Sequence, residues 1–151
     1  MRILDQKKIP YESYCYIESG VVSGVEVAKV LNQNPDKVFK TLVTQGASKN
    51  YYVFMVPVEK ELDLKKAAKS VAEKSIEMIK SKELLSLTGY IHGGCSPIGM
   101  KKTFKTVIHI SAENLETIVF SAGKIGYQVE TTLKELEKIV NIKRYDIICE
   151  N

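Results

Sequence analysis

Two periodicities alternate along this chain. Where apolar and polar residues change places at every step, extended backbone throws successive side chains to opposite faces, and a strand is expected. That pattern predicts a strand at 11–17, with Tyr14 and Tyr16 on one face; 38–43 reads as a buried strand, and further strands are expected at 51–58, 76–79, 106–110, 117–120 and 127–131, with a hairpin turn at 46–50. Where apolar residues recur every three or four positions, a helix is expected. A charged segment at 2–8 stops before Pro10, and Ser23-x-x-Glu26 has the form of a capping box opening a helix with Val27, Val30 and Leu31 inward. Asn34-Pro35 reads as a cap with proline at the first helical position. Asp63 caps a helix with Leu64, Ala67, Ala68 and Val71 inward, and Ser81 caps one that stops at Gly89. Thr132-x-x-Glu135 opens the last helix, with Leu133, Leu136, Ile139 and Val140 inward, and Ile147-Ile148 suggests an edge strand in the tail. Strands and helices mix irregularly, and several strands are joined by hairpin-length connections. The expected class is α+β around a curved, mixed sheet rather than a regular βαβ array.

Composition narrows the function. The 151 residues, with no repeat or low-complexity stretch, suit a single domain over 1–151. The net charge of +4 permits a nucleic-acid partner without demanding one. Arginine is confined to Arg2 and Arg144, so nucleic-acid contact would be mainly lysine to phosphate, which positions without reading sequence. Cys15, Cys95 and Cys149 are widely spaced with no C-x-x-C pair, which argues for reduced thiols and against a zinc site. His92 and His109 have no ligand spacing to any cysteine or carboxylate, so neither a metal nor a cofactor is expected. There is no signal-peptide pattern and no apolar run of membrane length, so the expectation is a soluble, cytoplasmic protein with no membrane partner.

The chemistry concentrates in one stretch, Gly89-Tyr90-Ile91-His92-Gly93-Gly94-Cys95-Ser96-Pro97-Ile98-Gly99-Met100-Lys101-Lys102. A side-chain-poor loop with free N–H groups and adjacent lysines suits a phosphate or a developing oxyanion, though a tight turn between strands has the same composition. It is not a P-loop, because Met100 stands where the lysine belongs. A second glycine loop runs from Ser121 to Gly126. Lys40 lies within an apolar strand on the face of Val38 and Leu42, so its ammonium either snorkels to an edge or enters a polar cavity. Cys95 lacks an identifiable base and orienting group and reads as a loop-filling thiol. This set can bind and orient an anionic ligand with a polarised carbonyl, and it holds no obvious general base.

Taken in order, Asn34-Pro35-Asp36-Lys37-Val38-Phe39-Lys40-Thr41-Leu42, Leu62-Asp63-Leu64-Lys65-Lys66, Thr88-Gly89-Tyr90, Gly93-Gly94-x-Ser96-Pro97-x-Gly99-x-Lys101-Lys102 and Ser121-x-Gly123-Lys124-x-Gly126 resemble the YbaK family of trans-editing aminoacyl-tRNA deacylases, relatives of the prolyl-tRNA synthetase editing domain. The resemblance implies a barrel-like mixed sheet with surrounding helices. It implies hydrolysis of mischarged aminoacyl-tRNA, Cys-tRNA(Pro) first, with the substrate's own thiol assisting. Ala-tRNA(Pro), another small aminoacyl-tRNA, or a non-catalytic tRNA or synthetase-binding role stay open. It places Lys40, Gly93 and Gly94 at the chemistry and Tyr16, Ser96, Pro97, Lys101, Lys102, Ser121, Gly123 and Gln128 around the substrate. The implied partner is the 3′ aminoacyl end of tRNA, with prolyl-tRNA synthetase as a second candidate. Departures include Ser23 for an aromatic, Cys95 for an aliphatic residue, Met100 for glutamine, Ala122 and Ile125 in the second loop, and Gln128 where the branch has an aspartate.

Overall fold

A computed structural model of the chain describes residues 10–15, 27–29, 31–91, 95–100, 104–124 and 126–150. These contain the strands β1 (Glu12–Cys15), β2 (Phe39–Gly46), β3 (Tyr51–Pro57), β4 (Ile76–Met78), β5 (Lys105–His109), β6 (Ile118–Ser121), β7 (Tyr127–Thr131) and β8 (Ile142–Tyr145). They pair as a five-stranded sheet in the order β4-β2-β3-β5-β8 and a three-stranded sheet in the order β1-β7-β6. β2 and β3 form an antiparallel hairpin, whereas β3–β5 and β5–β8 are parallel, so the larger sheet is mixed. β4 pairs with β2 only at residues 44–46, leaving the first half of β2 open on that side. There a parallel bridge between Val38 and Val119 brings β6 alongside β2. The expected mixed α+β arrangement with flanking helices is what forms, and the two sheets meet at this seam without closing into a barrel.

β3 is central and covered on both faces: Val53, Phe54, Met55 and Val56 are each 0% exposed, which explains its unbroken apolar run. On one face of the β2–β3 hairpin, Phe39 and Met55 pack with Ile98, Ile108 and Phe120, and Val43 and Val53 pack with Leu84 and Cys95. On the other, Phe54, Val56 and Val107 pack with Ala67, Ala68 and Ile147. The helix Leu64–Ser70 is set by Asp63, whose Oδ1 accepts the N–H groups of Lys65 at 2.9 Å and Lys66 at 3.1 Å. Such a cap contributes about 1 kcal/mol.

Several expectations change. Leu64 is 41% exposed, because the helix turns its alanines to the sheet. Ser81 is the first residue of the helix Ser81–Thr88 and Lys80 is the N-cap, with no side-chain cap bond; Gly89, at φ +85°, ends the helix as expected. The last helix is a single turn, Leu133–Leu136, capped by Thr132, and Ile139 and Val140 reach the core from the turn beyond it. The strand expected at 106–110 ends at His109, and a 3-10 helix, Ile110–Asn114, follows. β8 was not expected. Ile148 contributes an isolated antiparallel bridge to Leu62 rather than a strand, with the Asp63 N–H donating to the Ile147 carbonyl at 2.8 Å. The 27–29 segment is helical, with Val27 buried as expected and Ala28 buried as well, while Leu31 lies in the turn that follows and is half-buried. Ser23, Glu26, Val30 and the segment 2–8 lie outside the described residues.

Candidate active site

The seam aligns residues from distant parts of the sequence. Two residues beyond the isolated Val38–Val119 bridge stand Lys40 on β2 and Ser121 on β6, each on the side its valine takes, and Ser121 pairs directly with Gln128 on β7. Paired residues point to the same side of a sheet, so Lys40, Ser121 and Gln128 form a row on one face. Val38 and Val119, one pleat away on that face, pack with Val58 and Ala28, which places the 27–29 helical segment over the row's flank. The chain leaves that segment through Gln33, and the Asn34-capped 3-10 turn Pro35–Lys37 feeds it into β2. Gln33 Nε2 donates to Gln128 Oε1 at 2.9 Å. Gln33 Oε1 is buried without a hydrogen-bond partner among the described residues. An unpaired buried acceptor is costly unless a ligand completes it.

Beside Val119 the charge is closely compensated, whereas Lys40 has only a loose partner. Glu130, opposite Val119, receives Lys37 Nζ at 2.5 Å and hydrogen bonds from the hydroxyls of Tyr14 and Thr117. Burial opposes ionisation of Glu130, but Lys37 and the two hydroxyls hold its carboxyl below the ordinary carboxylate range. The Lys40 side chain is 30% exposed, and its Nζ lies 3.7 Å from Oε1 of Glu61, which is 82% exposed. Exposed pairs contribute about 0–1 kcal/mol, so Glu61 holds Lys40 only weakly.

The two glycine loops are joined by Tyr90. Its hydroxyl donates to the Ile98 carbonyl in the first loop. Its ring lies against Gly123 in the second, where φ is +97° and an added Cβ would stand 2.8 Å from Tyr90 Cε1. Thr88 sets Tyr90 by accepting its N–H at 3.0 Å while donating to the Leu84 carbonyl at 2.7 Å. Ser96 is 0% exposed, Pro97 is also buried, and Ser96 Oγ accepts the Ile98 N–H at 3.2 Å. Ser121 Oγ accepts the Gly123 N–H at 3.2 Å, so both serines brace their loops. Cys95 is 6% exposed among Val43, Val53 and Leu84, and burial pushes its thiol up to about 12. A thiol so protonated and enclosed is a core filler and not a nucleophile.

Of the residues singled out by sequence, Lys40, Ser121 and Gln128 share a row, and Gly123 joins Ser96 and Pro97 through Tyr90. Tyr16, Gly93, Gly94, Lys101 and Lys102 lie outside the described residues. Sequence reasoning missed Gln33 and the tying role of Tyr90. Thr88-Gly89-Tyr90 carried a signal for the second, since a left-handed glycine beside a tyrosine marks a constrained entry; nothing local marked Gln33.

The sequence profile described as "Aminoacyl-tRNA editing domain" matches residues 18–139. The chain is 42% identical over 142 residues to the "Putative Cys-tRNA(Pro)/Cys-tRNA(Cys) deacylase EbsC" of Enterococcus faecalis, covering 93% of this chain and 87% of that protein. It is similar to the crystal structure of the hypothetical protein APE2540, at a TM-score of 0.88 and 16% identity, covering 98% of this chain and 97% of that one. It is also similar to the crystal structure of "a putative trans-editing enzyme for prolyl tRNA synthetase", at a TM-score of 0.83 and 20% identity, covering 97% and 92% respectively. At those identities the two solved structures establish the fold. The chain belongs to the aminoacyl-tRNA editing domain family. Among the described residues no helix is long and apolar enough to cross a membrane.

Proposed function

We propose that this chain is an aminoacyl-tRNA deacylase that clears cysteine from mischarged tRNA(Pro), working in trans in the cytoplasm on the 3′ ester. The observation that carries this is its 42% identity, along 93% of its length, to the EbsC protein named as a cysteinyl-tRNA deacylase. That name pairs two cysteinyl-tRNAs, so the cysteine is the common element and its thiol the natural nucleophile. In the reaction the substrate sulfur attacks its own carbonyl carbon, a C–S bond forms as the ester C–O bond breaks, and the ribose 3′ oxygen leaves with the thiol proton. The cyclic thioester that results adds water to give free cysteine. The protein supplies no nucleophile, in keeping with the buried, protonated Cys95.

Its work is then positioning and electrostatics. Lys40 holds the terminal phosphate or ribose as a point charge in exchange for Glu61. Backbone N–H groups at Gly93 and Gly94 receive the oxyanion, each donor contributing roughly 3–4 kcal/mol in comparable sites. The free Gln33 Oε1, beside Gln128 and Ser121, offers an acceptor for the substrate ammonium. Tyr16, Ser96, Pro97 and Gly123 wall the pocket, and Lys101 and Lys102 serve the adjacent RNA backbone. Prolyl-tRNA synthetase is the proposed second partner.

The test is release of labelled cysteine and alanine from charged tRNA(Pro), with and without prolyl-tRNA synthetase. Cysteine should be released and alanine spared, because alanine has no thiol. Equal rates would overturn thiol assistance, and release of neither would overturn the deacylase.

A further inference from the structure

A cleft of about 340 Å³ lies at the C-terminal end of the helix Leu64–Ser70, where that helix meets the start of β5 and the edge strand β8. Three lysines from three separate elements line it: Lys69 on the helix, Lys105 on β5 and Lys143 on β8. Thr106 and Asn141 add polar groups, and no carboxylate is among the lining residues. Among the described residues no ion pair engages any of the three ammonium groups. Lys143 Nζ donates to the Ser70 carbonyl at 3.1 Å and stands 6.0 Å from the Tyr145 ring centre, which fixes it at the cleft wall. The adjacent Glu73 is turned away, with Ser48 and Tyr52 donating to its carboxylate. A lysine-rich helix face is ordinarily just solvated, but convergence of residues 69, 105 and 143 in a concavity is not a helix face.

The cleft shares a sheet face with Lys40. Lys40 pairs with Val56 and Lys105 with Tyr52, so all four side chains project to one side. Four residues along β3 and two strand spacings across put Lys105 about 16 Å from Lys40. At about 3.4 Å per stacked nucleotide, that is some five nucleotides. The helix Leu64–Ser70 covers the sheet between the two, so an RNA whose terminal phosphate meets Lys40 would pass over that helix, a path longer than the straight line, and would meet the cleft with its acceptor stem.

We propose that the Lys69–Lys105–Lys143 cleft grips the sugar-phosphate backbone of the tRNA acceptor arm as a second anchor remote from the ester. This rests on the deacylase reading above. The contact neutralises charge without reading bases, as a lysine-only surface does. It sets affinity for long substrates and leaves the chemical step alone.

The experiment compares the wild type with K69Q/K105Q/K143Q. Uncharged tRNA(Pro) binding is measured from about 50 to 200 mM salt, and kcat and KM are measured on Cys-tRNA(Pro) and on a cysteinylated CCA trinucleotide too short to reach the cleft. The triple variant should bind tRNA about 10- to 100-fold more weakly, with the slope of log affinity against log salt reduced by about 2–3. KM on full tRNA should rise, kcat should stay, the trinucleotide should be unaffected, and restoring charge with K143R should recover part of the affinity. Unchanged affinity and slope overturn the proposal, as does an equal loss on the trinucleotide. A lowered melting temperature is handled by repeating the measurements with K105Q alone, for which the expected slope change is about 0.7–0.9. A wild type that binds tRNA through the cleft but releases cysteine from neither substrate defeats the deacylase reading and leaves the cleft standing.

Discussion

Gly123→Ala tests whether the two glycine loops are organised by their shared tyrosine. The residue sits at φ +97°, and a Cβ there would come within 2.8 Å of Tyr90 Cε1. The backbone term alone costs about 1–3 kcal/mol for an L-residue held in that region. The ring cannot yield freely, because its hydroxyl donates to the Ile98 carbonyl and the backbone N–H of Tyr90 is held by Thr88 Oγ1. Shifting it forfeits about 1 kcal/mol of hydrogen bonding. Together the substitution should cost about 2–4 kcal/mol, lowering the melting temperature by roughly 5–12 °C for a chain of this size. Displacing the loop by an ångström should also reduce kcat/KM by about a hundredfold. The assays are thermal unfolding by circular dichroism and single-turnover deacylation, each repeated in a Tyr90→Ala background. Without the ring, only the backbone cost of Gly123→Ala should persist, so the two substitutions should couple by about 1 kcal/mol. A Gly123→Ala protein with wild-type melting and turnover, or a penalty identical in both backgrounds, would refute the reasoning.

Lys40→Ala should lose deacylation by orders of magnitude while melting within a few degrees of wild type, since its exposed partner Glu61 contributes about 0–1 kcal/mol; retained turnover on Cys-tRNA(Pro) would dismiss Lys40 from the chemistry. Thiol labelling of the native protein should modify the exposed Cys15 and Cys149 and spare Cys95 until unfolding, and Cys95→Ser should keep turnover; loss of activity would make it the nucleophile after all. Glu130 has a depressed folded-state pKa, so the stability it contributes is fully present above the unfolded carboxylate value of about 4.3 and is lost as pH falls through the folded value. Denaturant titrations should therefore show wild type and Glu130→Gln converging in stability at acid pH and separating toward neutrality; a gap independent of pH would count against the ion pair with Lys37.

The first strand was readable from its alternation, 38–43 was readable as a buried strand, and β3 was readable as its partner across the hairpin turn. β8 was not, because Ile142-Lys143-Arg144-Tyr145 is an edge strand with two cations at its centre, and a charged edge looks like a loop. The last helix was overestimated because Ile139 and Val140 continue the apolar period after the backbone has left the helix. For the site, period two gave the face of Lys40 correctly. Its neighbours were beyond reach: the row with Ser121 hangs on one parallel bridge between Val38 and Val119, and the Gln33–Gln128 bond joins residues 95 positions apart. No local pattern encodes contacts of that range. Family motifs supplied the names of Ser121 and Gln128, and the seam supplies the reason they sit with Lys40.

Because, among the described residues, that seam is spanned by a single bridge, the proposed anchor Lys40 and the residues Ser121 and Gln128 proposed to face the amino acid belong to separate sheets. If the proposed roles hold, exchanges on β6 and β7 would retune which side chain is accepted while β2 kept its hold on the common end of the tRNA. A scaffold divided in this way lends itself to diverging by substrate without reinventing its grip.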